Sequence, residues 1–354
     1  MSDVLVVCCA DWANGAYRVK QELDSLGLDV VAFKGMPHQF AYADEVPMIP
    51  GDWRGPPAFS YVPRLKPYAE AARCIMFMSS QFVEMGVNLA EKKCTVWHGG
   101  SDYRMRPKQC NDLFNPYVEV TMIGAPDEMG IGAKNEVWIP LHVDTAGLDP
   151  VYERRDPKKV LVGHFPSNAG MKGTGLICAV MDKLKADPTV ADRFEYIGLR
   201  GDARLSWPQH MNRVRQCDVY IDQIMPSLGG RPAGYFGTSS IEAAALGKVV
   251  MVNNLYRDQF HAEFGAAEPM WTNTAEELEA ALREVLSWTE AELRAKREAT
   301  RDWMERIHGL KPVAERMWEK VFGPMLDGKG RKCTSTTVGN GATSATAIMS
   351  GSTR

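Results

Sequence analysis

Short apolar runs alternate with amphipathic stretches along most of the chain. Residues 4–8, 28–33, 74–78, 94–97, 118–123 and 136–139 read as strands. Several are apolar at every position rather than at every second one, which suits parallel strands covered on both faces. Between them the spacing predicts a helix ending near Leu26 and another over 82–90. The pattern lapses from Pro140 to about Lys158, as in a hinge between domains. It then restarts with strands at 159–162 and 194–197, helices at 174–184 and near 208–215, and a strand, glycine-rich loop, helix and strand over 218–254. Amphipathic helices at 276–286, 290–307 and 312–322 close the pattern, the first capped at Thr274 with Glu277 three residues on.

Two successive alternating halves predict an α/β chain of two doubly wound, Rossmann-like domains facing across a cleft. The expected units are 1–144, 145–310, a last helix at 311–326, and a polar tail at 327–354 with nothing to bury, expected to be disordered. Within the first unit, residues 35–67 lack periodicity and carry Trp53, Arg54, Tyr61, Arg64 and Lys66. That mixture fits a grip on an acceptor and fits a plain surface loop equally.

Composition narrows the setting. The net charge of −3 over 354 residues gives no global field for a polyanion, so DNA affinity would need a local basic patch. No run approaches the length of a transmembrane helix, and the first residues lack the basic region of a signal peptide. The 8 cysteines show neither C-x-x-C nor zinc spacing, which points to buried thiols in a reducing compartment, the cytoplasm.

Candidate chemistry collects at predicted strand ends. The first loop, D-W-A-N-G-A-Y-R, offers Asn14 and Gly15 either to a substrate or to turn and cap geometry; it is not a dinucleotide fingerprint. The fourth strand ends in W-H-G-G-S-D-Y-R, where His98 can act as a base or bind a sugar hydroxyl, with Asp102 and Arg104 in the same loop. In the second half, Lys172, Gly173 and Thr174 set a cation beside a helix start, as a departing diphosphate requires, or form an ordinary turn with a solvated lysine. Gly234, Tyr235, Phe236, Gly237, Thr238 and Ser239 form a second loop opening a helix whose free N–H groups suit phosphate. Glu242 follows four residues after Thr238; there a carboxylate accepts ribose hydroxyls or is simply a favourable first-turn acid. No D-x-D or H-E-x-x-H occurs, so no metal clamp is expected.

These motifs resemble the GT-B glycosyltransferases, in particular the family 4-like group (glycosyl transferases group 1). P-S-N-A-G-M-K-G-T at 166–174 is similar to that group's donor diphosphate loop, and D-Q at 222–223 followed by G-Y-F-G-T-S-S-I-E-A-A-A-L-G-K-V-V to its donor-site helix. I-P-L-H-V-D at 139–144 is similar to the hinge, and 312–322 to the helix that returns to the first domain. The resemblance implies a bacterial or phage-like enzyme that moves a sugar from a nucleoside diphosphate sugar, UDP-linked first, to an acceptor hydroxyl. It implies no metal or other cofactor, and retention of configuration. Lys172 would bind the diphosphate, Glu242 the ribose, and Asn14, Gly15 and Arg104 would lie on the acceptor side with His98 and Asp102. The acceptor would be a glycan or lipid-linked glycan. Hydroxymethylated bases in DNA are the other reading, for which Arg64, Lys66, Arg104, Arg106 and Lys108 supply positive charge. A nucleotide-sugar epimerase or hydrolase, and a non-catalytic nucleotide-sugar binder, stay open. The chain departs from the family pattern twice. Gly234 replaces the first of two glutamates eight residues apart, and Asn168 and Ala169 stand where an arginine accompanies the lysine, a charge that Arg231 would have to supply.

Overall fold

Six parallel strands form the first sheet of the computed structural model, in the order Val30–Lys34, Val4–Cys8, Cys74–Met78, Lys93–His98, Val118–Ile123, Glu136–Trp138. Five parallel strands form the second, in the order Phe194–Tyr196, Val160–Gly163, Val219–Ile221, Val249–Val252, Met270–Trp271. The structure describes residues 1–43, 45–49, 53–145, 147–202, 204–228 and 230–326, so the tail expected at 327–354 lies outside the described residues. Both sheets are mixed with helices in the doubly wound manner. Their central strands Val4–Cys8, Cys74–Met78 and Val249–Val252 are buried at every position, as uninterrupted apolar runs require.

Each sheet has a switch point where its strand order reverses, the usual place for a ligand crevice. In the first sheet it lies between Val4–Cys8 and Cys74–Met78, and a side chain fills it. Gln81 Oε1 accepts the N–H groups of Cys9 and Ala10 at 2.9 and 2.7 Å, and its amide nitrogen donates to Ala10 O at 2.6 Å. The switch point of the second sheet lies between Val160–Gly163 and Val219–Ile221, and a cavity opens there.

The stretch expected as a helix over 82–90 is instead a strand, Phe82–Glu84, followed by a short 3-10 turn, Leu89–Glu91. Phe82–Glu84 pairs in parallel with Phe59–Tyr61, and the Phe82 ring stacks between Phe59 and Phe77 at 5.4 and 5.3 Å. Aromatic packing against a distant segment outweighs the local helical spacing there.

The chain crosses between the two sheets twice, and the crossings bind each other. Val143 N–H donates to His308 O at 3.0 Å, and the His308 ring meets Leu141 O at 2.7 Å. Beyond the second crossing, Leu310–Met317 and the turns that follow bury Val313, Met317, Val321, Phe322, Met325 and Leu326 in the core of the first sheet, beside Val4, Val6, Val19 and Leu23. Arg73 holds the end, donating to Leu326 O at 2.6 Å. Among the described residues no helix is long and apolar enough to cross a membrane, and the cysteines are buried free thiols.

Because the last helix completes a core that begins at residue 4, Phe322→Ala should destabilise the first domain by about 3–5 kcal/mol. Urea unfolding followed by tryptophan fluorescence measures this. A loss under about 1 kcal/mol would mean that the helix is an appendage.

Candidate functional site

A cavity of about 210 Å³ lies between the two sheets. The first domain contributes Ala13, Phe40 and Tyr42; the second contributes the rest of the wall, including Phe165, Lys172, Trp207, His210, Asp222, Thr238, Ser239 and Glu242. The segment carrying Phe40 and Tyr42 roofs the cavity. Trp207 N–H donates to Phe40 O at 2.6 Å, and the Tyr42 and Trp207 rings lie 5.5 Å apart.

The loop after Val160–Gly163 is shaped by backbone contacts. Lys172 N–H donates to Asn168 O at 3.1 Å, Met171 N–H to the Asn168 side chain at 2.9 Å, and Ile224 N–H to Lys172 O at 3.2 Å. Gly173 has φ +66°, and a Cβ there would come within 2.0 Å of Ile224 O, so only glycine fits. The buried His164 ring spans Ile221 O and the Thr174 hydroxyl, each at 2.9 Å. Burial lowers its pKa to about 4, so it stays neutral.

Lys172 is half-buried and already paired. Its Nζ donates to Asp222 Oδ1 at 2.7 Å and to Gln223 Oε1 at 3.1 Å. The same Asp222 carboxylate accepts the Ser239 hydroxyl at 2.9 Å and the Gly237 N–H at 3.2 Å, at the start of the helix Thr238–Ala245. Burial alone would raise the Asp222 pKa; attraction to Lys172 and the Lys172 and Ser239 hydrogen bonds outweigh it and hold the group below the ordinary aspartate range.

Glu242 lies one turn into that helix. Its Oε1 accepts Arg18 Nη2 at 2.8 Å and Trp207 Nε1 at 2.9 Å, while Arg18 Nη1 donates to His142 O at 3.1 Å. Burial leaves the Glu242 pKa raised despite these partners. Arg18 belongs to the helix Gly15–Ser25 of the first domain, so this ion pair spans the cleft. The same helix face holds the hinge, through Gln21 to Asp144 at 2.9 Å and Glu22 to His142 at 3.3 Å.

The departure at 234 has a local cause. Gly234 has φ +143°, and a Cβ there would meet Asn253 Nδ2 at 2.0 Å. Asn253 in turn ties Met225 and Ala233 together through their backbone. A glutamate at 234 requires Asn253 to leave. Tyr235 and Phe236 do not line the cavity; they pack into an aromatic cluster with Trp138, Phe260 and Trp303.

The acceptor-side candidates are not gathered at the cavity. His98 is 0% exposed, with Nδ1 at 2.9 Å from the Ser80 hydroxyl and its ring stacked on Tyr103 at 4.1 Å; burial lowers its pKa to about 3. Asp102 is half-buried and pairs with Arg106 at 2.7 Å. Arg104 binds both oxygens of Asp127, at 2.6 and 2.9 Å, and lies 3.3 Å from Glu128. Asn14 and Gly15 begin the helix that carries Arg18, with Asn14 N–H donating to His38 at 3.3 Å; of this loop, Ala13 reaches the cavity. Arg231 lies on a short ribbon away from the cavity wall. Lys66 and Lys108 pair with Glu70 and Asp112, at 3.7 and 2.6 Å.

Sequence reasoning did not reach Arg18 or Trp207, and it gave Asp222 no role beyond its place in the D-Q motif. Asp222 carries a faint signal, as a charge directly after an apolar strand. Arg18 sits four residues before Glu22 on a helix face that is otherwise apolar, a charged pair on the side that packs inward.

No known family model and no curated protein matches this sequence. Solved structures do match. A glycosyltransferase from Rickettsia africae is similar with a TM-score of 0.60 at 13% identity, covering 93% of this chain and 99% of that one. HepE from Anabaena, solved in complex with UDP-glucose, gives 0.58 at 11% identity over 91% and 100% of the two chains. Sucrose-phosphate synthase from Thermosynechococcus elongatus gives 0.56 at 15% identity over 92% and 100%. These matches run across both sheets and both crossings, and they give the chain the GT-B fold of glycosyltransferases.

Proposed function

We propose that this chain is a glycosyltransferase that moves a sugar from a nucleoside diphosphate to an acceptor hydroxyl. One observation carries the reading: a single cavity at the open switch point brings together Lys172, the first turn of Thr238–Ala245, and Glu242. In the proposed complex the diphosphate lies against Lys172 and the helix N-terminus, whose fixed donors meet the charge that develops on the leaving group. Both hydrogen bonds of Glu242 end on Oε1, so Oε2 serves a ribose hydroxyl. Phe165, Trp207, His210 and Tyr220 offer apolar faces to the nucleoside. UDP is the first nucleotide to test, since HepE was solved with UDP-glucose. A hexose donor, retention of configuration and independence of metal follow from the sequence resemblance alone.

For the acceptor we favour a glycan or lipid-linked glycan over DNA. Arg104, Arg106, Lys66 and Lys108 are each committed to a neighbouring carboxylate, which leaves little net charge to attract phosphates. A binding protein without turnover is the second reading. It is favoured by the internal pairing of both Lys172 and Glu242.

A panel of UDP, ADP and GDP with their glucose conjugates tests the assignment by thermal shift. UDP or UDP-glucose at a hundredfold excess over Kd should stabilise the fold by about 2.7 kcal/mol. No shift with any of them would remove the reading. Release of UDP from UDP-glucose in the presence of candidate acceptors then separates a transferase from a binder, and release without acceptor indicates a hydrolase.

Lys172→Ala should abolish transfer. It should also destabilise the fold at neutral pH, on the order of 3 kcal/mol, because Asp222 is left buried and charged. Asp222 has a depressed folded-state pKa, so the pair's contribution is present above the unfolded value and lost as pH falls through the folded one. The gap in melting temperature between variant and wild type should therefore close below the ordinary aspartate range. A gap that widens in acid would contradict the assignment of the pair.

A further inference from the structure

An anion site at a helix N-terminus normally waits for its ligand, but here a side chain of the protein already holds it. Asp222 collects the donors that would greet a phosphate: the Lys172 ammonium at 2.7 Å, the Ser239 hydroxyl at 2.9 Å and the Gly237 N–H at 3.2 Å. It lines the cavity directly after the strand Val219–Ile221 and is 1% exposed. Gln223 takes a further hydrogen of Lys172 at 3.1 Å. On the other wall Arg18 neutralises Glu242. The charged residues of the cavity wall, Lys172, Asp222 and Glu242, are thus all partnered within the protein, Glu242 by Arg18 from behind the wall, which leaves no unpaired cation to draw in a free phosphate.

We propose that Asp222 sets an affinity threshold for the site, as a built-in counter-anion that a diphosphate must compete with for Lys172 and the start of the helix Thr238–Ala245. This rests on the nucleotide-sugar reading of the cavity given above. A simple anion gains only what it takes from Asp222 and has the repulsion of that carboxylate to overcome. A nucleoside diphosphate brings further contacts, from ribose to Glu242 and from the base to the aromatic wall, and those drive the exchange. Inorganic phosphate and pyrophosphate, without those contacts, bind too weakly to fill the site, while a ligand that spans the cavity is accepted. The repulsion is common to all of them and sets the threshold; the added contacts decide which ligand passes it.

The test compares dissociation constants of UDP and inorganic pyrophosphate for the wild type and for Asp222→Asn, by calorimetry in low and moderate salt. Removing one unit charge a few ångströms from the phosphates, at an effective dielectric of about 20, should tighten binding of both ligands at least tenfold. Because Asp222 faces the group that the two ligands share, the ratio of their affinities should change little, and the gain should fall with added salt. Adding Lys172→Met to Asp222→Asn should erase it. If Asp222→Asn is too unstable for calorimetry, Asp222→Ser serves, read as the rise in melting temperature with pyrophosphate, which should exceed that of the wild type.

The outcomes separate the two ideas. Equal or weaker binding of both ligands by the variants overturns the role of Asp222 and leaves the nucleotide site standing if UDP binds. Tighter pyrophosphate binding without any binding of UDP supports Asp222 and counts against the nucleotide reading. Failure of wild type and variants to bind either ligand overturns both.

Discussion

The buried ion pair between Arg18 and Glu242 is a charged contact through which the two halves of this protein meet at the cavity. Removing a guanidinium and a carboxylate from water costs several kcal/mol each, and only convergent hydrogen bonds recover it. Here they converge: Arg18 also donates to His142 O in the hinge, and Glu242 also receives Trp207. Trp207 in turn supports the roof through Phe40. One pair therefore fixes the angle of the first helix, the path of the hinge and the closure of the cavity. Changing either charge would be felt at all three.

A second pair, Lys172 with Asp222, repeats this logic inside the second domain. Together the two pairs partner every charged residue of the cavity wall, which is otherwise largely aromatic and apolar. On the proposed reading a ligand enters by exchanging partners with these charges, and a nucleotide sugar would complete more such exchanges than phosphate alone. Gly234 belongs to the same economy of space, since Asn253 occupies the volume that a glutamate there would need.

The two sheets differ in what they do with the same topology. Each reverses its strand order and so creates a crevice, but Gln81 closes the first by bonding Cys9 and Ala10. The second stays open, with Gly173 letting the lysine loop approach Ile224. The site is therefore built on the second domain, and the first contributes a roof and Arg18. The fold is shared with transferases at identities of 11–15%, a level at which topology persists while side chains diverge. What the chain does must be argued from the cavity.

Much of this was legible along the chain. Continuous apolar runs are local, and they marked most strands of both sheets and the face of the last helix that packs on Val4 and Val6. Glycines and hydroxyls after strands located Lys172 and the helix at Thr238, because backbone geometry at a strand end is also local. The sequence could not foresee that His98 would turn under Tyr103, that Phe82 would pair with Phe59 instead of entering a helix, or that Lys172 would already be taken by Asp222. Those outcomes depend on partners distant in sequence; Arg18 and Glu242 are 224 residues apart. Periodicity tells each residue which way to face. Only the assembled structure decides which charge it meets there, because burial strengthens electrostatic contacts and selects the pairs that can satisfy each other.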